Sequence, residues 1–100
     1  MEKMKVLFRK DKEDGTVNAF FPEDSANYGM ISCYYRANPY ESGWCEASIE
    51  YYRGCDKATA EEYADLLSEL ERMFSDDDIA LEVKQRLYYK DILKTWYRRY

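Results

Sequence analysis

MKVLFRKDKEDGTVNAFFPE, residues 4–23, is the stretch that decides the fold class. Met4, Val6 and Phe8 alternate with Lys5 and Arg9, the period of two that marks a half-buried strand. Residues 10–16 are polar and carry Asp14-Gly15, a pair that supplies the positive-φ positions of a tight turn. Apolar character resumes at Val17 and stops at Pro22, which has no N–H to give to a ladder. The segment therefore predicts an antiparallel hairpin, and a chain that opens this way starts a sheet.

Working outward, residues 23–29 form a polar loop, and residues 30–36 and 46–53 are predicted as two more strands, rich in tyrosine and β-branched side chains. Ala47, Ile49 and Tyr51 alternate with Glu46, Ser48 and Glu50, and Pro39 and Gly43 mark the connection between the two strands. Thr59-Ala60-Glu61-Glu62 has the form of a capping box, in which threonine and glutamate satisfy each other's free amides. Behind it Tyr63, Leu66, Leu67, Leu70, Met73 and Phe74 share one helical stripe, with Glu61, Glu62, Asp65, Glu69 and Arg72 opposite. Ile79, Leu81 and Val83 alternate with Glu82 and Lys84, predicting a fifth strand, and residues 88–100 a last helix. The expected fold is a single α+β domain over residues 1–100, ordered β-β-β-β-α-β-α. It has a mostly antiparallel sheet of about five strands and two helices packed on one face.

One hundred residues are enough for a core that needs no metal or disulfide staple. No apolar run approaches the ~20 residues of a spanning helix, and the N-terminal residues lack an apolar targeting stretch, so a cytoplasmic, reduced protein is expected. The chain has no histidine, which removes the commonest general base and metal ligand together. Its charge is polarised. Residues 41–82 hold thirteen acids against Arg53, Lys57 and Arg72, whereas from Val83 onward six cations face only Asp91.

Cys33, Cys45 and Cys55 are separated by eleven and nine residues, too few ligands at the wrong spacing for structural zinc. No base accompanies them, and neither a phosphate loop nor a catalytic spacing occurs elsewhere, so neither an enzyme nor a cofactor is expected. A hairpin register that sets Arg36 against Glu46 places Tyr35 opposite Ala47 and Cys33 opposite Ile49. Cys45 is then too distant from Cys33 to bond, which needs a Cα separation below ~7 Å. Asp76-Asp77-Asp78 lacks the glycine and distal glutamate of a calcium loop and reads as a polar connection.

Tyr34-Tyr35-Arg36 and Tyr51-Tyr52-Arg53 repeat one aromatic–arginine pattern on what are predicted to be neighbouring strands. Either one tyrosine of each pair is core and the other a cross-strand partner, or the tyrosines and arginines form a protein interface. The candidate interaction surface is Tyr34, Arg36, Tyr40, Trp44, Tyr52 and Arg53. A candidate basic stripe, Lys90, Lys94, Arg98 and Arg99, lies on the last helix and, with aromatic stacking from the Tyr/Arg hairpin, points to a nucleic acid as an alternative partner. The acidic outer face of the long helix leaves a third option, mimicry of DNA phosphates.

The motifs LFRK…DG…V.A.FPE (residues 7–23) and AT.EEY..LL.ELE (residues 58–71) resemble small uncharacterised α+β proteins. These are encoded by phages and mobile elements of Bacteroidales and other gut bacteria. The resemblance covers most of the chain and implies a context rather than a mechanism. The loop RANPYESGW, residues 36–44, departs from the glutamine and histidine associated with those relatives. The resulting expectation is a non-enzymatic accessory protein acting through contact with an unidentified protein partner or a second copy of itself, without a membrane.

Overall fold

In the computed structural model, which describes residues 2–24, 30–88 and 90–93, the opening segment folds as the expected hairpin. Strand β1 (Glu2–Lys10) pairs antiparallel with β2 (Val17–Phe21), Lys10 opposite Val17 and Leu7 opposite Phe20. Gly15 sits at φ +78 in the turn. The Asp11 carboxylate accepts the amides of Glu13 and Asp14, and Asp14 accepts that of Thr16, so the loop's own side chains hold its backbone.

β2 pairs with β3 (Met30–Asn38), and β3 with β4 (Glu41–Ser48). A six-residue helix α1 (Ile49–Gly54), strand β5 (Asp56–Lys57), helix α2 (Ala60–Ser75) and strand β6 (Ile79–Lys84) follow, and residues 90–93 are again helical. The six-stranded sheet runs β4-β3-β2-β1-β5, with β6 also on β1. β1 is long enough to carry two partners along its second edge. Glu2 to Leu7 pair with β6 in parallel, and Arg9 and Lys10 pair with β5 antiparallel. The fold is α+β with a largely antiparallel sheet.

Both sheet faces are covered. On one, Val6, Phe8, Ala19, Phe21 and Tyr34 meet Leu66 and Leu70 of α2. On the other, Leu7, Phe20, Ile31, Cys33 and Ala47 meet Ile49 and Tyr52 of α1 and Ile92. The helical segments thus lie on opposite faces rather than together on one. In sequence the long helix and the last one each carry an apolar side of their own. Nothing local states which face that side will meet. The 88–100 helix falls largely outside the described residues.

The largest correction concerns residues 46–53, predicted as a strand. Asn38 pairs with Glu41 across a turn of Pro39 and Tyr40, so β4 begins earlier and ends at Ser48. The Ser48 hydroxyl then accepts the Tyr51 amide as an N-cap, and Glu50 and Arg53 complement the two ends of the helix dipole. Ile49 and Tyr52, three apart, are the buried pair, while Tyr51 is exposed; this is helical spacing, and the apparent alternation through Tyr51 was coincidental.

α2 is as the sequence predicts: Thr59 and Glu62 form the reciprocal capping box. Lys10 pairs with Glu62 as well and, with the Thr59 amide, holds its carboxyl down to about 2. Asp76, Asp77 and Asp78 make the turn into β6, with Asp78 at φ 55, a conformation aspartate tolerates better than most residues.

Candidate functional site

Of the six residues proposed for a contact surface, the structure brings three together. Tyr34, Arg36 and Trp44 project from β3 and β4 toward α2, with Tyr34 directly opposite Trp44. Their environments differ. Tyr34 is buried and its hydroxyl donates to Glu69, while Arg36 pairs with the same carboxylate at 2.6 Å. Ser42 adds a third donor at 3.2 Å, and together these groups, Tyr34 foremost, hold the Glu69 carboxyl below the usual range. Glu69, assigned to the wet side of α2 by its position in the stripe, instead ties that helix to β3 and β4. It follows Leu66 by three residues, so it sits at the margin of the buried row, where a short reach meets the sheet.

Trp44 stays half exposed, at 51%. Its ring meets Tyr34 edge-on at 5.0 Å, Phe21 at 5.5 Å and Phe74 at 6.2 Å, so three neighbours fix it while one side faces solvent. Met73, expected in the core stripe, lies beside Phe74 in sequence and is also partly exposed. Tyr40, at the tip of the β3–β4 turn, is 98% exposed. Among the described residues β4 pairs only with β3, so the strand bearing Trp44 is at the sheet's edge.

Tyr52 and Arg53 do not join this face. Because residues 49–54 are helical, they lie with α1 on the opposite side of the sheet. Tyr52 is buried, and its hydroxyl accepts a 2.9 Å hydrogen bond from Arg9. Arg9, itself buried, also donates to the carbonyls of Gln85 at 2.7 Å and Phe8 at 2.9 Å. A charge removed from water thus keeps three acceptors, which is what makes its burial tolerable. Tyr52 therefore belongs to the framework, whereas Arg53 is exposed on α1.

The face beneath α1 also holds the thiols. Cys33 and Cys45, opposite each other in the β3–β4 ladder, are free, as is Cys55. The observed register overturns the one that set Cys33 against Ile49 and kept the two sulfurs apart. The turn at Pro39-Tyr40 together with a one-residue shift of the ladder between Arg36 and Asn38 fixes it, and no pairing of charges further along could show that. Cys33 lies 3.7 Å from the Asn18 side-chain oxygen, Asn18 donates to the Tyr51 hydroxyl at 3.2 Å, and Tyr51 donates to Asp11 at 2.6 Å. No cluster of three metal-ligating side chains occurs among the described residues.

Of the basic stripe, only Lys90 is described; Lys94, Arg98 and Arg99 lie outside the described residues. Lys90 lines a cavity of about 240 Å³ with Lys5, Lys84, Arg86, Tyr88 and Asp91. Asp91 neutralises Lys5 through two 3.1 Å hydrogen bonds, and Lys84 pairs with Glu82. Arg86 and Lys90 are both exposed there. Two acids of the proposed DNA-mimic face are engaged within the molecule, Glu62 with Lys10 and Glu69 with Arg36. No helix among the described residues is long and apolar enough to cross a membrane.

Comparison with protein-family models, with curated proteins and with solved structures finds no match to this chain.

Proposed function

We propose that the chain is a non-enzymatic accessory protein that works by protein–protein contact, with Trp44 at the centre of the contact face. A role in a phage or mobile element is in keeping with the sequence resemblance. The observation that carries the reading is the state of Trp44: held by Tyr34, Phe21 and Phe74, yet half exposed on an edge strand. A ring already immobilised loses little freedom on binding, and tryptophan, tyrosine and arginine dominate interface energetics. Tyr40 is exposed at the turn that leads into the same strand, and Arg36 on the neighbouring strand is positioned by Glu69. The partner is a protein that offers an apolar pocket to the indole.

The test compares capture from cells of the source organism by the wild-type chain and by the Tyr40→Ala and Trp44→Ala variants. A protein retained by the wild type should be bound at least about tenfold more weakly by Trp44→Ala, the cost of losing a central aromatic anchor. Tyr40→Ala, at a 98% exposed site, should weaken capture while leaving the unfolding midpoint unchanged. Undiminished capture by both variants overturns the reading.

A second reading, binding of single-stranded nucleic acid, is favoured by the cationic cavity around Tyr88, where Arg86 and Lys90 surround an exposed aromatic ring. It predicts an electrophoretic shift at low salt that falls steeply as salt rises and weakens in an Arg86→Ala, Lys90→Ala double variant. No shift at low salt removes it.

A further inference from the structure

We propose that Cys33 and Cys45 are a redox-active dithiol that closes to an intramolecular cross-strand disulfide by exchange with a low-molecular-weight disulfide. The basis is the ladder itself. Cys33 on β3 is paired with Cys45 on β4, and both side chains lie on the α1 face of the sheet. Directly opposed residues in an antiparallel pair have Cα atoms about 4.5–5.5 Å apart, inside the ~4.4–6.8 Å that a disulfide requires. Closing the bond therefore asks for side-chain rotation, with no shift of register.

The two sulfurs are unequal, and the inequality assigns the order of events. Cys33 is buried at 1% exposure, whereas Cys45 is partly exposed on the edge strand, in a surface depression with Ser32, Trp44 and Glu46. The Cys33 thiol beside it favours the Cys45 thiolate and draws that thiol below its ordinary range. Cys45 in turn, together with burial, pushes Cys33 far up. Cys55, in contrast, is pushed up chiefly by burial, and it lies beyond α1, outside the β3–β4 ladder.

Cys45 thiolate attacks one sulfur of the small disulfide, oxidised glutathione for instance. The old S–S bond breaks, a mixed disulfide forms on Cys45, and one thiolate leaves and takes a proton from water. With Cys45 no longer an anion, the strongest influence holding Cys33 protonated is gone. Cys33 then attacks the Cys45 sulfur, its proton passing to the second departing thiol. The protein pair has lost two electrons and the small disulfide has gained them, giving two small thiols. The product ties the edge strand to its neighbour beside Trp44, whatever docks on that strand.

The experiment incubates the folded protein with oxidised glutathione, blocks the remaining thiols under denaturing conditions, and maps the bond by peptide mass. The expected result is a fall from three free thiols to one, with Cys33 joined to Cys45 within one chain and Cys55 free. Cys55→Ser should form the same bond, and Cys45→Ser should form none. In urea the preference should disappear, since fewer residues lie between Cys45 and Cys55, nine against eleven. A native bond that includes Cys55, a bond between two chains, or a mixed disulfide on Cys45 that persists without closing overturns the proposal.

Discussion

Phe20→Ala is expected to lower the unfolding free energy by about 3–5 kcal/mol, measured as a shift in the urea midpoint at constant slope. Phe20 is fully buried on β2, between β1 and β3, and faces α1. Its ring meets Tyr52 edge-on at 5.1 Å and Tyr51 at 6.3 Å, so it is the floor on which the helix rests. α1 has only six residues. A helix that short has no stability of its own, so its order is borrowed from this contact. Truncation therefore leaves a cavity and also releases the buried Tyr52–Arg9 hydrogen bond from its packing. Against a total of ~5–15 kcal/mol for a domain of this size, that is a large fraction. A loss below ~1 kcal/mol would show that α1 is not seated on Phe20.

Leu70→Ala is expected to cost about 2–5 kcal/mol, acting on the opposite face. Leu70 and Leu66 are the buried residues of α2, and they meet Val6, Phe8, Ala19 and Phe21. The capping box and the Glu69 contacts with Tyr34 and Arg36 remain when Leu70 is truncated. The helix should therefore stay formed but open more often, and hydrogen exchange should show α2 amides losing protection before those of α1. Simultaneous loss of protection at α1 and α2 would mean that the two faces unfold as one unit. Phe20→Ala should give the reverse order, which makes the two variants mutual controls.

These expectations also mark where the sequence was legible. The 4–23 hairpin could be read because its signals are local: alternation on both sides of an Asp-Gly turn, ended by proline. The start and apolar stripe of α2 were legible for the same reason, since Thr59 and Glu62 lie within one helical turn of each other. Residues 46–53 misled because two periods fit them. Ala47, Ile49 and Tyr51 satisfy a strand, Ile49 and Tyr52 a helix, and only a cap at Ser48 decides. The candidate surface inherited that error, so Tyr52 was grouped with Trp44 although the sheet stands between them.

The sequence by itself determined the α+β class, the first hairpin, the capped amphipathic helix and the alternation of β6, each from residues within a turn or a strand of one another. Tertiary structure alone decided that β6 runs parallel to β1, that the helical segments take opposite faces, that Glu69 reaches inward to Tyr34 and Arg36, and that Cys33 faces Cys45. Those outcomes depend on which surfaces meet. An apolar stripe records that a face must be buried, but the identity of its cover is set by the whole sheet's register and edges, and no short window of residues contains that information.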